Sequence, residues 1–319
     1  PIYIEMLNIL NGPLNLDFLK LRKVMLVLST VLMLVSVYSL STRFLNLGLD
    51  FTGGTLVEVG YSQDADLEAI RGQLTDAGFD GAVVQYFGSS REVIVRIAPI
   101  AGVKNEVIGN NVVDTLRAAD DSVVKRRNEY VGPSVGQELT EQGGLAMLVA
   151  LICIMIYVAI RFEWKFSIGS VAALAHDVTI TLGIFSLLGL EFDLTVLAAV
   201  LAVIGYSLND TIVIFDRIRE NFLKMRKGTP YDVINRSINQ TISRTLITSL
   251  TTIIVLVTLF LKGGELIHGF ATALLIGVLI GTYSSLYIAS PIALILGVSK
   301  EDLMPPEIEK EGADQEPLV

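Results

Sequence analysis

At 319 residues the chain is 52% hydrophobic and 18% charged, with a mean hydropathy of +0.59, a balance that excludes an ordinary soluble globular protein. Its net charge of −9 leaves no basic surface for nucleic acid. The lone cysteine, Cys153, lies in an apolar run, which excludes a disulfide framework or a zinc cluster, and no motif asks for a cofactor.

A helix needs about 20 mostly apolar residues to cross a bilayer. Six segments qualify: Val24–Leu45, Leu145–Ile160, Phe166–Leu190, Leu194–Phe215, Leu246–Leu261 and Phe270–Leu296. The sequence therefore predicts an α-helical polytopic membrane protein with six transmembrane helices, the first at 24–45 and the other five within 135–296. Residues 1–23 precede the first span and end in Lys20, Arg22 and Lys23. With no small-residue cleavage site before Arg43, this span is expected to be retained. The second and fifth segments are short unless flanking residues extend them.

Residues 46–134, between the first two spans, have the character of a water-soluble domain, with 13 acids and 8 bases between Leu47 and Pro133. Thr55–Ser62 alternates like a half-buried strand. Ala65–Ala77 has helical spacing through Leu67, Ile70 and Leu74, with Asp64 as its N-cap. Strands follow at Ala82–Gly88 and Val93–Ala98 around a Gly-Ser-Ser-Arg-Glu turn. A helix at Val103–Ala118 and a strand at Ser122–Val131 complete a β-α-β-β-α-β order, which predicts an α+β ferredoxin-like domain. The last stretch, 297–319, is acidic and proline-bearing and is expected to be disordered.

Lysine and arginine in short loops set orientation. The N-terminal cluster, Arg161 with Lys165, and the basic connection holding Arg217, Arg219, Lys224, Arg226, Lys227, Arg236 and Arg244 fall on one side, read as the cytoplasm. Both termini are then cytoplasmic and the inserted domain is extracytoplasmic. Thr229-Pro230-Tyr231-Asp232 reads as a helix start, so Tyr231–Ser243 is expected to form an amphipathic surface helix feeding the fifth span.

A charge at the bilayer centre costs at least ~2.5–3.5 kcal/mol on insertion scales, so each one needs a reason. The third span contains His176-Asp177, with Asp177 near mid-membrane. The fourth contains Asp210, expected to share a polar patch with Tyr206, Ser207 and Asn209. Arg244 opens the fifth. Desolvation favours the protonated form of a carboxylate and a neighbouring arginine opposes it. An Asp210–Arg244 pair on adjacent helices is therefore a candidate proton pathway, with Asn209 and Asp177 as further members. The competing reading is helix packing through side-chain hydrogen bonds, and His176 or a partner helix could simply neutralise Asp177. Thr52-Gly53-Gly54 lacks the Lys-Ser/Thr of a phosphate loop. Asp50, Gly53 and Gly54 read instead as a hinge between the first helix and the inserted domain. Gly277 and Gly281 form a small-xxx-small pair suited to close helix approach.

Six stretches carry a resemblance: Gly48-Leu49-Asp50-Phe51-Thr52-Gly53-Gly54, Val131-Gly132-Pro133-Ser134-Val135-Gly136, Ala175-His176-Asp177, Gly205-Tyr206-Ser207-Leu208-Asn209-Asp210-Thr211, Asp216-Arg217-Ile218-Arg219-Glu220-Asn221 and Arg244-Thr245-Leu246-Ile247-Thr248-Ser249. In this order the chain resembles the bacterial SecF family, part of the SecDF protein-export complex within the resistance–nodulation–division superfamily. The resemblance implies a multi-pass protein of the bacterial inner membrane that couples proton flow to late steps of export and has no enzymatic activity of its own. It implies SecD, the SecYEG translocon and the translocating preprotein as partners, with YajC and YidC as further candidates, and it matches the family's membrane aspartate and arginine to Asp210 and Arg244. A passive scaffold for the translocon remains an alternative. An intramembrane aspartyl protease built on Asp177 and Asp210 is another, though Ser-Leu-Asn precedes Asp210 where that family has Gly-x-Gly. Sodium could replace the proton.

Overall fold

A computed structural model describes residues 15–100, 102–225, 227–300 and 302. Most of the N-terminal stretch, Arg226 and most of the acidic tail with its expected disorder lie outside the described residues. Helix α1 (Arg22–Thr42) follows a 3₁₀ turn at Phe18–Leu21, capped by the Asp17 carboxylate accepting from the Lys20 N–H at 3.1 Å. Its buried residues are Ser29, Ser36 and Ser39, while Val24, Val27, Val31 and Leu34 face outward. That inversion of the soluble pattern is what a helix needs when lipid is its solvent and small residues make its packing face.

After α1 come a two-residue strand β1 (Asn46–Leu47), one helical turn α2 (Leu49–Thr52), strand β2 (Gly54–Gly60), helix α3 (Leu67–Asp76), strands β3 (Val83–Phe87) and β4 (Ser89–Ile97), helix α4 (Asn105–Ala119) and strand β5 (Val124–Val131). The sheet order β3-β4-β2-β5, antiparallel throughout, is that of the split β-α-β arrangement. Val57, Val59, Val93 and Val95 face Ile70, Leu74, Val112 and Leu116 of the two helices in one closed core. The opposite face carries a small cluster of Leu56 and Ile94 on Leu49, beside Glu58, Glu92, Arg96 and Arg127.

Two local expectations are corrected. Asp66, not Asp64, caps α3, accepting from the N–H groups of Glu68 and Ala69 at 3.0 and 3.3 Å. Asp64 is drawn away by the Ser90 hydroxyl at 2.7 Å and by Arg91 at 3.6 Å. The expected five-residue hairpin turn shrinks to Gly88, whose φ of +72° reverses the chain within a single residue. Ser89–Glu92 join β4, where Glu92 pairs with Gly60.

The bundle resumes with α5 (Pro133–Arg161), α6 (Trp164–Leu188), a short strand β6 (Glu191–Phe192), α7 (Leu194–Lys224), α8 (Pro230–Lys262) and α9 (Glu265–Ser284), which passes through a π-helical turn at Ser285–Ala289 into α10 (Ser290–Ile295). Among the described residues six helices are long and apolar enough to cross a membrane, the sixth being α9 through α10. Polar flanks supply the length that the second and fifth segments lacked. The π turn falls just before Pro291, which has no N–H to continue an α-helical ladder.

Tyr231–Ser243 is not a separate surface helix. It is the first part of α8, closed by a reciprocal Thr229–Asp232 capping box. Its Val233, Ile234, Ile238 and Ile242 share a core with Ile218 and Phe222 of α7. On another face, Asn239 clasps the backbone of Leu16, accepting from its N–H at 2.8 Å and donating to its carbonyl at 2.7 Å. Helices α6 and α7 form the centre of the bundle, with 56% of each apolar window buried against 11–28% for the others. The small pair works as expected: a Cβ on Gly277 would sit 2.0 Å from Val203 Cγ2, and one on Gly281 would sit 3.0 Å from Ser207 Cβ, so α9 lies directly on α7.

Candidate functional site

Among the described residues two aspartates are buried in the bundle, Asp177 on α6 and Asp210 on α7. Their surroundings differ. Three groups converge on Asp177. Ser207 Oγ of α7 donates to Oδ2 at 2.5 Å, Ser284 Oγ of α9 donates to the same oxygen at 2.7 Å, and His176 Nδ1 lies 2.9 Å from Oδ1. A buried carboxylate is costly unless its lone pairs are met, and here partners from two other helices meet them. The network continues outward through the His176 ring stacked on Tyr283, whose hydroxyl donates to the Met25 carbonyl of α1 at 2.7 Å.

Asp210, one turn further along α7, is 2% exposed. Its Oδ2 is buried with no hydrogen-bond partner. Thr282 Oγ1 lies 2.7 Å from Ser249 Oγ of α8, and Tyr206 donates to Ser249 at 3.2 Å. Tyr206, Ser249 and Thr282 thus form a run of three hydroxyls across α7, α8 and α9 that starts one turn before Asp210 on α7.

The polar patch expected around Asp210 is divided. Ser207 serves Asp177, Tyr206 serves Ser249, and Asn209 is exposed on the rim of α7. The expected Asp210–Arg244 contact is also absent: among the described residues no ion pair joins them, and Arg244 is exposed. The reason is helical phase, since Thr245 and Ser249 take the inward face of α8 and leave Arg244 on its outward one.

At the other end of α7, the turn holding Asp50, Gly53 and Gly54 is closely packed. Gly54 has φ +119°, and a Cβ there would lie 2.4 Å from the Ile97 carbonyl oxygen; Gly53 has φ +67° and presses on Pro133. Asp50 Oδ2 accepts from the Leu194 N–H at 3.0 Å and so caps the first turn of α7. Strand β1 pairs in parallel with β6, Phe51 stacks on Phe192 at 5.8 Å, and Arg96 of β4 binds Glu191 at 2.5 Å. The inserted domain is thus tied to the α6–α7 connection as well as to its own covalent neighbours.

Residues 111–299 match the family described as protein export membrane protein SecD/SecF, C-terminal, and residues 38–65 match the SecD/SecF GG motif. The chain is 57% identical to the protein translocase subunit SecF of Vibrio alginolyticus, over 97% of this chain and 98% of that protein. The chain belongs to the SecF family. The SecF subunit of Escherichia coli O157:H7 is 45% identical over 99% of this chain and 98% of its own length. The crystal structure of SecDF from Thermus thermophilus superposes with a TM-score of 0.81 at 36% identity, covering 89% of this chain and 39% of that longer one. SecDF in its super-membrane-facing form gives 0.67 at the same identity and coverage.

In this SecF chain the glycines of the GG-motif segment are those that let three backbone segments meet beside Asp50. Sequence reasoning missed the Asp50 cap and the Arg96–Glu191 pair. Only Asp50 had a local signal, as an acid beside a turn. The other joins residues too distant in sequence for any periodicity to register.

Proposed function

We propose that the chain is the SecF component of a SecDF-type complex, coupling proton movement past Asp210 to late steps of protein export. One observation carries this reading. Of the two buried aspartates, Asp177 has partners on both oxygens, whereas Asp210 keeps a buried oxygen unmet. A saturated carboxylate is a structural group; an unmet one beside a hydroxyl run has somewhere to hold a proton. Asn209 of α7 and Arg244 of α8 are exposed, and we assign the SecD contact to that surface, so that the partner completes the pathway. Asp177 is assigned to packing. The basic loops opposite the inserted domain support cytoplasmic termini and an extracytoplasmic domain in the bacterial inner membrane. The SecYEG translocon and the exported chain are the remaining partners.

The test is export into inner-membrane vesicles holding the paired complex. Asp210→Asn is expected to abolish stimulation by the proton gradient while Asp177→Asn retains it. If both variants respond to the gradient like the unaltered complex, the chain is a passive scaffold.

A further inference from the structure

Strand β5 is an edge: in the order β3-β4-β2-β5 no strand among the described residues pairs with its outer side. It is eight residues long and contains no proline; Lys125 and a bulge at Arg126 blunt its first half, whereas Arg127–Val131 is regularly paired with β2 and keeps an unbroken edge. Five consecutive residues, Arg127–Val131, line a cavity of about 510 Å³ between the sheet and the domain-side end of the bundle. Successive strand side chains point to opposite faces, so five in a row can border one cavity only if the main chain itself faces it. The far wall is acidic, with Asp50 and Asp193 at the N-terminus of α7 and Glu191 paired with Arg96, and Glu129 adds a fourth carboxylate beside Arg127. Arg127 is itself held by Glu129 at 3.3 Å and Glu58 at 3.8 Å, which offsets its charge. Leu49 and Leu56 form an apolar patch between these walls.

We infer that this cleft is a docking site for an extended, positively charged segment of polypeptide, which adds to β5 as a fifth strand. The main-chain edge supplies hydrogen bonds indifferent to sequence. The acidic wall selects lysine and arginine, and the Leu49–Leu56 patch accepts an alternating apolar side chain. The inference rests on the export reading for its occupant, an exported chain still unfolded, and names the place on this domain where that chain is held.

A photo-reactive residue at Glu129, whose side chain is 49% exposed, tests the cleft; the same probe at Val107, 45% exposed on α4, tests the helical face. Both are placed in the full chain paired with SecD in membranes carrying an arrested export substrate. Crosslinks to the substrate are expected from position 129 and not from 107. They are expected to fall several-fold when lysines in the arrested segment are replaced by glutamates. Equal crosslinking at both positions, none at 129, or indifference to the charge of the segment overturns the inference. Gradient-stimulated export, measured in the same membranes, separates the two readings. Its absence beside crosslinking at 129 removes the proton coupling and leaves the cleft standing; its presence without crosslinking does the reverse.

Discussion

Arg96 and Glu191 meet at 2.5 Å across 95 residues of sequence, joining a strand of the inserted domain to the connection between the third and fourth spans. Their side chains are 13% and 33% exposed, so the pair is neither buried nor free in water. Its worth lies between that of a surface bridge and a desolvated one. Glu191→Gln is expected to cost about 1–3 kcal/mol, because it leaves the Arg96 charge half-desolvated. Denaturant unfolding of the purified chain in detergent measures this, and the charge-swapped double variant should recover part of the loss. No change in either would make the contact incidental.

Asp177 should behave as a structural acid. Asp177→Ala strands two serine hydroxyls and an imidazole in the interior, and about 3–5 kcal/mol is the scale for removing one side of a buried charged contact. Asp177→Asn keeps one acceptor oxygen and should lose about 1–3 kcal/mol. Thermal unfolding in micelles ranks them: the alanine variant melts lowest. A melting point for alanine at or above that of asparagine contradicts the network described above.

Gly54 and Gly277 are both crowded, but by different atoms. At Gly54 the obstacle is the Ile97 carbonyl oxygen, fixed in the sheet, and the φ of +119° is strained for any side chain. Gly54→Ala is expected to cost at least about 1–3 kcal/mol from backbone conformation alone, with no neighbouring substitution able to restore it. At Gly277 the obstacle is a valine methyl, so Val203→Ala should rescue Gly277→Ala in a double-mutant cycle. Expression level and melting temperature report both outcomes.

Tyr61 offers a pH test within the inserted domain. Burial, and then the nearby Asp120 carboxylate, push its phenol up to about 12 from 10.0. The folded state therefore holds this proton more tightly than the unfolded chain does. Its contribution is complete below pH 10 and is lost as the pH rises from about 10 through about 12. The Tyr61 hydroxyl is buried without a partner, so Tyr61→Phe should be neutral or mildly stabilising at neutral pH. It should also flatten the alkaline loss of stability, which chemical denaturation at a series of pH values would follow. An unchanged alkaline slope in Tyr61→Phe would assign the loss to another group.

Much of this was legible in the chain itself. The spans follow from apolar length, because a bilayer imposes one dimension on every helix that crosses it. The strand and helix order of the inserted domain follows from period 2 and period 3.6 alternation. Asp177, Asp210 and Arg244 stood out because ionisable residues in such segments are expensive. Boundaries were less legible: α8 absorbed a segment whose amphipathic pattern suited a membrane surface equally well, since a face packed on α7 and a face laid on lipid have the same periodicity.

Partnership was legible only between close neighbours in sequence, such as His176 and Asp177. The sequence alone determined which residues are apolar enough to enter the membrane and which acids enter with them, because hydropathy and backbone hydrogen bonding are local properties. The tertiary structure decided that Ser207 turns to Asp177 and not to Asp210, that Arg244 points away from the bundle, and that Asp50 and Arg96 fasten the inserted domain to the fourth span and to the connection before it. Those outcomes depend on the relative rotation of helices about their own axes, which close contacts such as Gly277 on Val203 fix and no single segment encodes.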